Sequence, residues 1–174
     1  IFQAPQEILY CGNSGTTMRL MMGVLATQPF TACLTGDVSL NRRPMERVMG
    51  PLRAMGAAFR IDTDPERGRL IFVTGRRDLK GITYLLPVAS AQVKTAILLA
   101  GLSASGGTAV SDSADSRDHT ERMLRSFGVP CQERRLTVSI HPAPLKAPRG
   151  ALHVPGDFSS AAFLIAAGLI VPGS

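Results

Sequence analysis

Three stretches of this chain are apolar on almost every side. Ser14 opens SGTTMRLMMGVLA, Ser90 opens SAQVKTAILLAGL and Ser159 opens SSAAFLIAAGLIV. Each begins with small polar residues and continues with about a dozen mostly apolar ones. A helix without a polar face has to bury itself, so the pattern predicts three buried helices rather than amphipathic surface ones. Burial leaves the first-turn N–H groups in need of partners. The Ser and Thr side chains at the three starts are suited to cap them.

A second pattern alternates with the first. Residues 46–56 (ERVMGPLRAMG) and 121–128 (ERMLRSFG) mix charges with apolar positions at helical spacing and close on glycine. That reads as an amphipathic helix ended by a left-handed residue. Pro44 is expected near the first helical position, and Pro51 is expected to kink the helix or delay its start. Strand pairs follow, at 58–61 with 70–73 around a polar loop at 62–68, and at 130–133 with 136–140. The unit is strand, buried helix, strand, amphipathic helix, strand, strand. It occurs twice in full and starts a third time at 151–154, with a period of about 70 residues, too long for the common solenoids. We therefore expect an α/β fold of repeated βαβαββ units with parallel buried helices. The helix N-termini then converge on one polar surface, where their dipoles favour negative charge.

Composition narrows the partner. A net charge of +6 over 174 residues points to an anion. The basic residues are scattered, aromatics are scarce and no lysine block occurs, which disfavours nucleic acid and favours a small phosphorylated or carboxylated ligand. Cys11, Cys33 and Cys131 are widely spaced and odd in number, as expected of reduced thiols in a cytoplasmic protein. His119, His141 and His153 share no ligand spacing with one another or with cysteine, so no metal site is expected. No run of about 18 apolar residues is present, and no membrane span is expected. The chain opens without Met and stops just after an apolar helix, so a fragment of a longer chain is expected.

The first buried helix carries the clearest chemistry. CGNSGTTMRL, residues 11–20, follows the apolar lead-in Ile8-Leu9-Tyr10. A small-residue turn at a helix N-terminus lets backbone N–H groups approach an anion. The turn is neither the GxGxxG dinucleotide pattern nor a phosphate loop, because no Lys-Ser or Lys-Thr stands at the required place. Arg19 and Lys94 sit one turn into buried helices and need partners; structural ion pairing is expected for both. Asp118 is expected to cap the helix after it.

Four motifs in order carry a more specific resemblance: Gly12-Asn13-Ser14-Gly15-Thr16, Arg43-Pro44-Met45, Ala89-Ser90-Ala91-Gln92-Val93-Lys94 and Arg117-Asp118-His119-Thr120-Glu121. With Gly156-Asp157 and Ser159-Ser160, they resemble the 5-enolpyruvylshikimate-3-phosphate synthase family over nearly the whole chain. The resemblance implies an inverse α/β barrel of two lobes with three units each. It implies that residues 1–153 belong to the first lobe, as units 1–77 and 78–150, and that 154–174 open the second. The implied reaction joins phosphoenolpyruvate to shikimate 3-phosphate and releases phosphate, without metal or organic cofactor, in aromatic amino acid and chorismate biosynthesis.

Carried over by motif, Gly15, Arg43 and Gln92 would bind phosphoenolpyruvate. Ser90, Ala91, Gln92 and Arg117 would bind shikimate 3-phosphate. Many members carry a second serine where this chain has Ala91. The resemblance places no acid or base within these residues: a Lys-Ser loop upstream and the second lobe's carboxylates, lysine and arginines would complete the site, and the fragment alone would be inactive. Glyphosate occupies the phosphoenolpyruvate place in this family. Gly15 leaves that place open, whereas Leu20, Ala91 and Arg117 resemble the tolerant subgroup. A full-length monomer is expected.

Two alternatives remain at this stage. The sister enzyme that transfers enolpyruvyl to UDP-N-acetylglucosamine shares the repeat and the Arg-Pro element. It usually carries a reactive cysteine in the preceding loop, which here reads Gly36-Asp37-Val38-Ser39-Leu40-Asn41. The other is a non-catalytic anion-binding lobe.

Overall fold

The computed structural model describes residues 2–148 and 150–171. The elements in chain order are β1 (Leu9–Tyr10), α1 (Gly15–Leu25), β2 (Thr31–Thr35), α2 (Val38–Asn41), α3 (Glu46–Met55), β3 (Ala58–Asp64), β4 (Gly68–Thr74), β5 (Thr83–Leu85), α4 (Ala91–Gly101), β6 (Thr108–Ser111), α5 (His119–Ser126), β7 (Cys131–Arg134), β8 (Thr137–Ile140) and α6 (Phe158–Ile170).

The repeat is reproduced in the hydrogen bonding. One sheet has the order β1-β2-β4-β3 and the other β5-β6-β8-β7. In each, the first pair is parallel and the other two are antiparallel. A parallel first pair requires a crossover, which α1 supplies in one unit and α4 in the other. The strands bury one face: Leu34, Ile71 and Val73 in the first sheet, Val110, Val138 and Ile140 in the second.

The crossover helices form the centre of the core. Met18 and Met22 of α1 are fully buried, as are Ala96, Ile97 and Leu98 of α4. The two helices run parallel, because Thr16 and Arg19 meet Gln92 while Gly23 meets Ala96 further along both. A Cβ on Gly23 would lie 2.3 Å from the carbonyl oxygen of Ala96, so the two backbones touch where a side chain cannot fit. The amphipathic helices cover this pair: Val48, Met49, Leu52 and Met55 of α3 are buried, with Leu124 of α5. Gly56 and Gly128 follow them at φ +115° and +79°, the left-handed conformation expected of both.

Several expectations are corrected in detail. The cap residue of α3 is Met45, so Pro44 precedes the helix rather than opening it. Pro51 lies inside α3 and is buried, and the helix start is not delayed to reach it. The first hairpin is tighter than 62–68: β3 runs to Asp64, and the Asp64 carboxylate accepts from the backbone N–H groups of Glu66 (2.9 Å) and Arg67 (2.8 Å) to hold the turn. Residues 151–154 are not a strand. The third apolar helix, α6, forms but buries no residue. Its pattern matched that of α1 and α4, but burial needs an opposing surface. Asp157 rather than serine caps it, accepting from the N–H groups of Ser159 (3.0 Å) and Ser160 (3.2 Å). No helix among the described residues is long and apolar enough to cross a membrane.

Candidate functional site

The turn before α1 is built by its backbone. Gly12 takes φ +57°, the Cys11 N–H donates to the Thr35 carbonyl (2.8 Å), and the Asp37 N–H donates to the Gly12 carbonyl (2.9 Å). Ser14 caps α1 by accepting from the Thr17 N–H at 3.1 Å. Asn13 then joins two charged groups: its amide donates to Asp37 (2.7 Å) and its carbonyl accepts from Arg43 (2.6 Å). Hydrogen bonds from the Leu40 N–H and the Asn13 amide hold the Asp37 carboxyl below the usual carboxylate range. Asp37 also caps α2, a single turn that the sequence pattern did not announce.

Gly15 is buried beneath two guanidinium groups. A Cβ there would stand 3.0 Å from Nη1 of Arg19 and 3.2 Å from Nη1 of Arg43. Arg43 thus reaches the start of α1 from the loop before α3, and Asn13 orients it.

Arg19 departs from expectation. It is 7% exposed yet pairs with no carboxylate among the described residues. Its Nη1 donates to Oε1 of Gln92 (2.5 Å) and its Nη2 to the Pro44 carbonyl (3.3 Å), while its Nε is buried without a partner. Burial lowers its affinity for the proton, and the positive charges of Arg47 and Arg43 lower it further. Arg19 and Arg43 therefore share the α1 N-terminus, and the charge of Arg47 reaches Arg19 from nearby.

Gln92 is the joint between the units. While Oε1 accepts from Arg19, its Nε2 donates to the Thr16 hydroxyl at 2.7 Å. Ser90 is the N-cap of α4, and Ala91 is its first helical residue. Beside them lies a cleft of 420 Å³ lined by Arg47, Ser90, Ala91, Gln92 and Arg117, among others. A second, more apolar cleft of 320 Å³ lies between Thr16, Leu20, Gln92, Leu99, Arg117 and Met123. Arg117 borders both, and Ala91 and Gln92 form the wall between them.

Behind this wall lies a buried ionic cluster. Lys94 pairs with Glu121 at 2.6 Å and with Asp112 at 3.4 Å, all three at most 5% exposed. Asp112 also accepts from the Ser90 N–H (3.3 Å) and the Ser116 hydroxyl (2.5 Å). It therefore ties the start of α4 to the loop that carries Arg117. The expected ion pairing of Lys94 is present. Asp118 occupies the cap position of α5 but makes no capping hydrogen bond, and pairs instead with Arg122 at 3.4 Å.

The substrate-site residues carried over from the motifs thus gather at the N-terminal ends of α1 and α4, whereas Gly156-Asp157 and Ser159-Ser160 lie at the exposed start of α6. Gly15, Arg43 and Gln92 surround Arg19, and Ser90, Ala91, Gln92 and Arg117 line one cleft. Sequence reasoning missed the bridging role of Asn13 and the anchoring role of Asp112, which rest on contacts between distant segments. It also passed over Arg47, whose only sequence signal is a cation in the first turn of α3, where the helix dipole disfavours it. Among the described residues no cluster suits a metal ion, and burial raises the thiols of Cys11, Cys33 and Cys131 above their ordinary range.

Comparison with known proteins is consistent along the whole chain. The family described as EPSP synthase (3-phosphoshikimate 1-carboxyvinyltransferase) matches residues 1–174. The 3-phosphoshikimate 1-carboxyvinyltransferase of Brevibacillus brevis is 55% identical over 172 residues, covering 99% of this chain and 40% of that protein. The enzyme of the same name from Thermus thermophilus is 52% identical over 175 residues, with the same coverage of 99% and 40%. Among solved structures, EPSP synthase from Acinetobacter baumannii superposes with a TM-score of 0.82 at 48% identity, covering 94% of this chain and 36% of that one. The chain thus spans about 40% of the length of the curated relatives it matches, and its fold is that of the solved enzyme over the shared part.

Proposed function

The chain belongs to the EPSP synthase family, and from that premise we propose that the full-length protein carrying it transfers the enolpyruvyl group of phosphoenolpyruvate to shikimate 3-phosphate. In that reaction a substrate hydroxyl adds to the enol carbon of phosphoenolpyruvate while its methylene takes up a proton, and the tetrahedral intermediate then loses a proton from the resulting methyl group as it expels inorganic phosphate. Two phosphates and two carboxylates have to be held together. Arginines and helix N-termini do this without proton bookkeeping of their own.

The observation that supports this reading best is the set of arginines without carboxylate partners, Arg19, Arg43 and Arg47, around two converging helix starts. Of these, Arg19 is buried, and a buried cation without a counter-ion is costly in an empty site and becomes a favourable contact once an anion enters. Arg43 and Arg19 are assigned to phosphoenolpyruvate, with Gly15 leaving them room. Ser90, the Ala91 backbone N–H and Arg117 are assigned to the phosphate of shikimate 3-phosphate. Gln92, which already touches Arg19 and borders the Ser90 cleft, is assigned to both substrates. Residues 1–153 form part of the first lobe and 154–174 the start of the second; the rest of the protein supplies the acid and base.

The test is phosphate release by the full-length protein with both substrates present. Turnover that needs shikimate 3-phosphate and phosphoenolpyruvate supports the reading. Turnover only with UDP-N-acetylglucosamine as acceptor assigns the sister activity, and anion binding without turnover assigns a non-catalytic role. Residues 1–174 alone are expected to be inactive. We place the enzyme in the cytoplasm as a monomer without a metal or organic cofactor. Glyphosate is expected to compete with phosphoenolpyruvate, and an inhibition curve measures how strongly.

A further inference from the structure

The 420 Å³ cleft beside Ser90 contains a residue that no family motif selects. Its lining has Arg117 and Ser90 from the second unit and Arg47 from the first. Arg47 is exposed, and no carboxylate among the described residues pairs with it. It also borders a small apolar hollow formed by Tyr84, Leu86, Pro87, Val88 and Val93. An arginine that borders both spaces can lay its methylenes along the apolar wall while its guanidinium stays in the polar cleft. An arm laid along that wall is restricted before any ligand arrives, which lowers the entropy cost of binding.

The position of Arg47 is electrostatically adverse within the chain itself. It lies in the first turn of α3, at the positive end of the helix dipole. It also repels Arg19. Asp115 is the one carboxylate in the lining of the cleft, against the two cations Arg47 and Arg117. The cleft therefore keeps a positive excess next to the N-terminus of α4.

We propose that Arg47 is a further substrate-binding residue, which grips a phosphate monoester dianion from the side opposite Arg117 while the α4 N-terminus holds it from below. Two guanidinium groups, one from each unit, give the charge and directional donors that a dianion requires. The proposal rests on the enolpyruvyl-transfer reading for the identity of that monoester, shikimate 3-phosphate. It also makes the phosphate a bridge between the two repeated units.

The experiment is calorimetric titration of the full-length protein and its Arg47→Gln and Arg47→Lys variants with shikimate 3-phosphate, shikimate and inorganic phosphate. Thermal melts confirm that the variants fold. Loss of one charge-assisted contact weakens shikimate 3-phosphate about 10- to 100-fold in Arg47→Gln, and Arg47→Lys recovers part of the loss. Shikimate, which has the ring without the phosphate, changes less than about threefold in the same variant. Equal losses for both ligands, or an unchanged affinity for shikimate 3-phosphate, overturn the assignment. If wild-type protein binds inorganic phosphate through Arg47 but ignores shikimate 3-phosphate, the residue assignment stands and the enolpyruvyl-transfer reading falls. Binding of neither ligand overturns both.

Discussion

Arg19 and Lys94 stand at nearly the same place in the repeated unit, one turn into the crossover helix, yet the protein treats them oppositely. Both are buried, at 7% and 4% exposure. Lys94 has two buried carboxylates, Glu121 and Asp112, within its own unit. Arg19 has the neutral amide of Gln92, a backbone carbonyl and two repelling arginines. The cation of the second unit is neutralised and serves the fold. The cation of the first is left in surplus, where an anionic substrate can use it. The difference is what assigns a structural role to Lys94 and, in the reading proposed above, a substrate-binding role to Arg19, when sequence position does not separate them.

The comparison can be broken most forcefully at Lys94. In Lys94→Met, Glu121 and Asp112 remain buried without their counter-ion. We expect a loss of about 3–5 kcal/mol in unfolding free energy, measured by denaturant titration of the full-length protein. A loss below about 1 kcal/mol would mean that the cluster does not hold the second unit together. Gly23→Ala tests the contact between the two helices. Its Cβ would meet the Ala96 backbone at 2.3 Å, and backbone cannot swing aside. An overpacking cost of about 1–3 kcal/mol or more is expected, read in the same titration.

On the substrate side the effects should move activity and leave stability alone. Among the described residues, the Arg43 side chain is held by a single hydrogen bond, to Asn13. Arg43→Gln is expected to raise the KM for phosphoenolpyruvate about 10- to 100-fold, the worth of a charge-assisted contact, with the melting temperature unchanged. Gly15→Ala should act more mildly. The atoms its Cβ approaches are the ends of the Arg19 and Arg43 side chains, which can shift a few tenths of an ångström. We expect stability to stay within about 1 kcal/mol and the KM for phosphoenolpyruvate to rise, because the displaced groups are the proposed ligands. An unchanged KM would separate Gly15 from the site.

Much of this was legible from pattern alone. The period of the apolar helices revealed the repeated unit, and its strand order is the same in both sheets. The C-terminal glycines and the serine caps of α1 and α4 were readable because each is a local backbone requirement, whereas α6 takes Asp157 as its cap. Contacts across long separations were not. Arg19 meets Gln92 73 residues away, and no local rule says that a buried arginine will find an amide rather than a carboxylate. Asn13 reaches both Asp37 and Arg43 for a similar reason. The burial of α6 was overestimated because periodicity describes what a helix can bury, whereas actual burial depends on what lies opposite. The candidate site was legible as motifs, and those motifs depended on a family resemblance; Arg47 belongs to none of them.

The central claim is that surplus cations at the α1 start exist for substrate, and Arg19→Met in the full-length protein tests it most directly. Removing a desolvated, repelled charge should leave the unfolding free energy within about 1.5 kcal/mol of wild type. The same variant should lose turnover with phosphoenolpyruvate and shikimate 3-phosphate by about 100-fold or more. A variant that unfolds as readily as Lys94→Met, but turns over at the wild-type rate in its folded fraction, would show that Arg19 is structural and would contradict the account.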